Sequence, residues 1–248
     1  ESYNKGRITE SRLSKSVKKI LSLKAKSGLN NYKEISPKNI LEKINTPKDS
    51  LLYSKAMESA ITLVKNFKET LPLSTNKKYL HVPMGKNKNS KYLTNKMDMY
   101  VDVEEFKGDD YLSIHKKTDY DAIIISYHGS SSSPYASNII PDNIVREIDN
   151  ISKSNNVILN LFLNPYSLNS FKSIDNFDSI IISYQNNMIS QEIAADLMFG
   201  IRSFKGKIPV SNNFFNVNHG LTFDKKEILG FSRPVYEGFD SKNLQYLD

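Results

Sequence analysis

Residues 121–127 read Asp121-Ala122-Ile123-Ile124-Ile125-Ser126-Tyr127, a continuous apolar run led by one acid. A strand with one wet face alternates apolar and polar side chains. A run without alternation reads as a strand buried on both faces, as in a parallel sheet. Two more runs of this kind follow, Val157 to Leu163 and Ile180-Ile181-Ile182-Ser183-Tyr184. Between the first two, Ile140 to Ile151 has helical spacing, with Ile144, Val145 and Ile148 on one side. After the third, residues 189–199 place Ile189, Ile193, Ala194 and Leu197 on one helix face, ended by Gly200. The link from 164 to 178 is short for a full crossover helix, with room for one turn at Leu168 to Phe171. This order predicts an α/β fold: a three-layer sandwich with a mostly parallel open sheet and helices on both sides.

Upstream, Tyr79 to Val82 and Met99 to Val103 read as strands. Residues 50–66 read as a helix with Tyr53, Ala56, Met57, Ala60, Ile61 and Val64 on one face, followed by an extended Leu71-Pro72-Leu73. Residues 30–50 are polar, carry Pro37 and Pro47, and have room for a short helix over 37–44. Residues 8–26 predict an amphipathic helix with Leu13, Val17, Ile20 and Leu21 in one stripe, capped by Thr9 or Ser11 and stopped by Gly28. So basic a helix has little in its own neighbourhood to pack on. After Gly206 the chain turns extended and loop-rich to about 238, and Ser241 to Leu247 has the pattern of a further helix.

The 248 residues carry a net charge of +7, with lysines spread through 5–117. That spread reads as a solvated surface of biased composition, and no aromatic-interleaved basic run of nucleic-acid type is present. The absence of cysteine excludes disulfides, thiolate metal sites and a cysteine nucleophile. No apolar run approaches the ~20 residues of a membrane span. Glu1-Ser2-Tyr3 resembles neither a start nor a signal peptide, so the sequence reads as beginning mid-chain.

In open α/β sheets, ligands bind beyond the C-terminal ends of the strands. The loops after Tyr127, Leu163 and Tyr184 read His128-Gly129-Ser130-Ser131-Ser132-Ser133-Pro134-Tyr135, Asn164-Pro165-Tyr166 and Gln185-Asn186-Asn187. Amides, hydroxyls and aromatic faces of this kind suit a sugar; the same residues also serve ordinary turns. The candidate substrate contacts are His128, Tyr135, Asn164 and Tyr166. The loops carry neither phosphate-binding glycine pattern and no nucleophile elbow. His81, His115 and His219 are scattered without metal spacing, so no metal or other cofactor is expected. Glycoside hydrolysis needs two carboxyl groups, and these loops hold none. Glu104, Glu105, Asp109 and Asp110 form an acidic cluster that reads as a solvated loop.

Several segments together resemble glycoside hydrolase family 3. Gly6-Arg7-Ile8 to Gly28-Leu29 is similar to the end of that family's (β/α)8 barrel, and Ser54 to Asn66 with Leu71-Pro72-Leu73 to the helix and strand that open its second domain. Asp121 to Tyr127, Leu161 to Tyr166 and Ile181 to Gln185 resemble its strand motifs. Ala194 to Gly200, Gly206-Lys207-Ile208-Pro209-Val210 and His219-Gly220-Leu221 complete the set. With no carboxylate at the strand ends, the chain looks more like the β-N-acetylhexosaminidase branch, whose acid/base is a His–Asp pair on the barrel. Gly238 to Leu244 weakly resembles the entry to a serine-β-lactamase-like domain.

The resemblance implies a barrel end over 1–29, a linker over 30–50, the sandwich over 51–222 and a connector over 223–248. It implies an accessory domain of a retaining enzyme that removes terminal β-linked N-acetylglucosamine from glycans or peptidoglycan fragments. The catalytic residues would lie on the absent barrel, which would be the domain's own partner. It also implies a bacterial periplasmic or surface location. The alternative is a non-catalytic scaffold module of a surface assembly.

Overall fold

The computed structural model describes residues 2–86, 88–116, 119–129, 139–223 and 230–240. The chain divides into two compact units, 1–46 and 47–248. The first unit holds helix α1 (Glu10–Lys26), a 3-10 turn at Leu29–Asn31 and the short α2 (Ile40–Ile44). Thr9 caps α1 by accepting from Arg12 N at 3.3 Å, and Gly28 follows in the left-handed conformation. Glu10 in the first turn and Lys24 and Lys26 in the last match the helix dipole. No residue of α1 is buried; Leu13, Val17, Ile20 and Leu21 are 43–57% exposed. The turn at Pro37 precedes α2, so the helix expected over 37–44 covers only its second half.

The second unit opens at Pro47 with α3 (Pro47–Ala60), followed by β1 (Thr62–Asn66), β2 (Tyr79–Met84), α4 (Lys91–Met97), β3 (Val103–Glu105) and β4 (Ala122–His128). Then come α5 (Asp142–Ser154), β5 (Val157–Phe162), β6 (Ser179–Ile182) and α6 (Met188–Met198), with a 3-10 segment at Pro165–Ser170 between the last two strands. The six strands form one sheet in the order β1-β6-β5-β4-β2-β3. All neighbours run parallel except β1, which pairs antiparallel with β6. The α/β sandwich and its mostly parallel sheet are as the apolar runs predicted.

Strand parity sorts the side chains. Ile123, Ile125 and Tyr127 of β4 join a core under α5, with Leu80, Val82, Leu159, Leu161 and Ile148. Ala122 and Ile124 join the opposite core, with Ile158 and Ile181 of the neighbouring strands and Met57, Leu93 and Leu197 from α3, α4 and α6. Each fully buried branched side chain contributes about 1.5–3 kcal/mol of transfer free energy, which is why unbroken apolar runs mark the central strands.

Two elements differ from expectation. The apolar face over 50–66 belongs to a helix only as far as Ala60. Beyond it the β-branched Thr62 and Val64, with Leu63, are buried in a strand that pairs with β6 through Thr62, Leu63, Lys65 and Asn66. The strand expected over Met99–Val103 is displaced to Val103–Glu105. Residues 98–101 instead turn off the end of α4, and Tyr100 packs its ring 5.2 Å from that of Phe199. Helix α4 itself gives no clear apolar period, because Lys96 on its inner face is buried against Asp196 at 3.3 Å.

Helix α6 is buried from Ser190 to Met198, and the donors of its first turn are satisfied within the protein. Asn187 caps it, its Oδ1 accepting from Ser190 N at 3.0 Å while its Nδ2 donates to Tyr53 OH of α3 at 2.8 Å. An Asn187→Ala variant is expected to lose about 1–2 kcal/mol in denaturant unfolding. An unchanged unfolding midpoint would show that neither bond matters.

Candidate functional site

The sheet reverses its winding between β2 and β4. From β2 the chain passes through α4 to β3 on one side; from β4 it passes through α5 to β5 on the other. Beyond the carboxyl ends of two such strands the connections diverge and leave a crevice, the place where open α/β sheets hold ligands. Here the ends are Met84-Gly85-Lys86 and Tyr127-His128-Gly129. Gly85 has φ +105°, and a Cβ there would lie 2.5 Å from the His128 carbonyl oxygen. Only glycine lets the two strand ends approach this closely.

On the α4 and α6 side, polar residues form a continuous buried chain. Glu105 accepts from Ser90 Oγ at 3.1 Å and from the Thr94 hydroxyl. His81 Nδ1 lies 2.9 Å from Thr94 Oγ1 and 3.6 Å from the Glu105 carboxylate. His81 Nε2 is 2.7 Å from Ser126 Oγ, which is 2.7 Å from His128 Nε2. His128 Nδ1 is 2.9 Å from Asn186 Oδ1, which also accepts from Gln191 Nε2 at 2.8 Å.

Donor counting sets the protons. Asn186 Oδ1 is an acceptor, so His128 Nδ1 donates to it. Burial holds the His128 pKa down to about 4, so at neutral pH its Nε2 is bare and takes the Ser126 proton. Ser126 Oγ is then free to accept from His81 Nε2. His81 Nδ1 faces the Thr94 oxygen and the carboxylate. The Glu105 pKa is drawn down to about 2, chiefly by the hydrogen bond from His81.

Ser126 with His81 and Glu105 has the composition of a nucleophile, base and acid. It is not placed for that work: Ser126, His81 and His128 are all 0% exposed, and a substrate carbonyl cannot reach the hydroxyl. The chain's work is to fix β2, β3, β4 and the loop before α6 to one another through satisfied polar groups.

On the α5 side of the reversal lies a cleft of about 510 Å³. Lys86, Tyr111, Tyr127, Asn143, Ile144 and Glu147 are among its lining residues. Tyr127 is 6% exposed, and burial pushes its phenol pKa up, so it remains a hydroxyl. Lys88 sits 5.5 Å over the Tyr111 ring and pairs with Asp109, whose side chain is 85% exposed at the rim. Glu147 Oε2 is shielded from solvent and has no hydrogen-bond partner.

The candidate contacts fall in different places. His128 is inside the protein, stacked on Phe162 at 4.8 Å, with both ring nitrogens occupied. In this structure it has no face to offer a sugar; burial on a strand whose neighbours are both covered removes it from the surface. Asn164 and Tyr166 stand at the end of β5. Asn164 Oδ1 accepts from Tyr166 N at 3.1 Å, and the Tyr166 side chain is half exposed. Tyr135 lies outside the described residues. Gln185, Asn186 and Asn187 brace α3, α6 and His128. Glu105 is a correction to the solvated reading of its cluster, since three buried polar side chains converge on it.

Solved structures with this fold exist. The chain matches the β-N-acetylglucosaminidase of glycoside hydrolase family 3 from Paenibacillus sp. str. FPU-7 at a TM-score of 0.55 and 19% identity, over 84% of this chain and 41% of that one. It shares its fold with part of a family 3 glycoside hydrolase. A β-glucoside phosphorylase, BglX, bound to 2FGlc matches this fold at a TM-score of 0.58 and 24% identity, over 85% of this chain and 40% of its own. The β-glucosidase from Listeria innocua in complex with isofagomine matches at 0.61 and 16%, over 84% of this chain and 34% of its own. The chain thus spans about two-fifths or less of the length of these proteins. No family model and no curated protein matches the sequence.

The sequence reading missed Glu105, His81, Ser126, Tyr111 and Glu147. A signal was present for two of them, Ser126 and His81. Ser126 and His128 share one parity in an otherwise apolar strand, and His81 has the matching parity in the next. A buried polar residue demands a partner, so each pointed at the others.

Proposed function

We propose that this chain is the accessory α/β domain of a family 3 glycoside hydrolase. The parent enzyme would release terminal β-linked N-acetylglucosamine from glycans or peptidoglycan fragments. The observation that carries the reading is the shared fold over most of this chain but only about two-fifths of the Paenibacillus enzyme. The described strand ends support it by what they offer: aromatic rings, amides and hydroxyls, with one carboxylate in the cleft and the other acid, Asp109, paired at its rim. Two cooperating carboxyl groups about 5–10 Å apart are the usual requirement for glycoside cleavage. The chemistry therefore belongs to a (β/α)8 barrel encoded in the same reading frame, with this domain docked against it. A periplasmic or surface location in a bacterium belongs to the same proposal.

In this mechanism a barrel aspartate attacks the anomeric carbon while a barrel acid protonates the leaving oxygen. Water then releases the sugar with the same acid acting as base. The polar chain from Glu105 to Asn186 would keep the strand ends that face the sugar in fixed positions. Proton NMR of the first product released by the complete reading frame from a β-N-acetylglucosaminide tests the route. The β-anomer is expected to appear first; an initial α-anomer would show inversion and defeat it.

A further inference from the structure

We propose that the cleft at the β2/β4 reversal is a binding site for one uncharged saccharide unit, with Glu147 as its hydrogen-bond acceptor. The inference deepens the proposed function and rests on it for the ligand class alone; the site itself rests on the following geometry. The cleft holds about 510 Å³, within the ~300–1,000 Å³ of small-ligand sites. Its position at the reversal of winding is where such sheets place ligands.

Its charges decide what can enter. Lys86 and Lys88 are offset by Asp109 and Glu147, so the described lining carries no net charge. That argues against a phosphate or a cation, either of which needs one sign to dominate. Tyr111, Tyr127, Pro141 and Ile144 supply apolar and aromatic surface for the C–H face of a pyranose. Asn143 and the Tyr127 hydroxyl can donate or accept at its rim. Glu147 supplies the feature the fold leaves unexplained. A shielded carboxylate oxygen without a partner costs about 1–3 kcal/mol, and a turn of the Glu147 carboxylate that brings this oxygen out to a sugar hydroxyl in the cleft forms the missing bond. A carboxylate is also the strongest neutral-pH acceptor a protein can offer a hydroxyl.

The test is amide-resolved NMR titration of the 248-residue chain with N-acetylglucosamine and with glucose, and with sulfate as the anionic control. Shifts at Gly85, Lys86, Tyr127 and Asn143 to Glu147 with either sugar, and none there with sulfate, are expected. Glu147→Gln should weaken that affinity roughly tenfold, the loss of one charge-assisted bond. Asn143→Trp, at an exposed position on the rim, should block the cleft without touching the core. Sulfate binding at these residues, or sugar shifts confined to other residues, would overturn the assignment. So would a Glu147→Gln variant that folds and binds as before. If the complete reading frame hydrolyses N-acetylglucosaminides while this cleft stays silent, the cleft fails and the function stands. Sugar binding here without any hydrolysis leaves the cleft standing and removes the enzyme.

Discussion

Gly85→Ala is expected to destabilise the domain by roughly 3 kcal/mol, lowering its melting temperature by about 6–12 °C. Two costs add. The backbone at Gly85 has φ +105°, a conformation that an L side chain adopts only under strain. The new Cβ would also lie 2.5 Å from the His128 carbonyl oxygen and 3.1 Å from its carbon. Both are backbone atoms, so relief requires β2 to part from β4 at the register pair Met84 with Tyr127. That separation pulls on His128 and on the cleft together. The variant should therefore lose both stability and the chemical-shift signature of sugar binding. Thermal unfolding followed by circular dichroism measures the first. A shift of only a degree or two would mean that the strand ends are softer than their close approach implies.

The second large effect is acid sensitivity. The His128 pKa falls from an ordinary 6.5 to about 4 in the fold, chiefly through burial. The unfolded chain therefore binds a proton that the folded one refuses, and stability drops as pH falls from about 6.5 towards 4. The full loss is on the order of 3 kcal/mol. Glu105 acts in the same direction at lower pH. Its pKa falls from 4.5 to about 2, so its contribution is complete above 4.5 and drains away as pH falls towards 2. Urea unfolding midpoints between pH 7 and 4 should decline steadily. A His128→Asn variant should start lower, because the bonds to Ser126 and Asn186 are disturbed, yet be nearly flat over the same range. A variant with the same slope as the parent would place the titrating group elsewhere.

The sheet was legible because its central strands announce themselves. Ile123 to Ile125 and Ile180 to Ile182 hold no polar residue, and Ile158 to Leu161 only the buried Asn160; a strand covered on both faces is what tolerates such runs. The edges were less so. Thr62 to Val64 continue the apolar period of α3, and only pairing with β6 decides that they are extended. Helix α4 hides because its inward Lys96 is compensated by Asp196, a partner a hundred residues away in sequence. The site suffered most from the same long-range effect. His81, Thr94, Glu105, Ser126 and Asn186 come from five separate segments, and no spacing rule links them. Their proximity is a product of sheet order, in which β2 lies between β3 and β4. Glu147 is, in the sequence, one more charge on an amphipathic helix, and only the reversal of winding beside it gives that carboxylate a cleft to line.

The most direct single measurement is hydrolysis of a chromogenic β-N-acetylglucosaminide, made in parallel with the 248-residue chain and with the product of the complete reading frame. No turnover is expected of the chain, whose described strand ends offer Glu147 with the other acid of the cleft, Asp109, paired to Lys88 at its rim, and turnover is expected of the complete product. Turnover by the chain alone would contradict the claim that the chemistry resides outside it, and would point back to the cleft at Glu147.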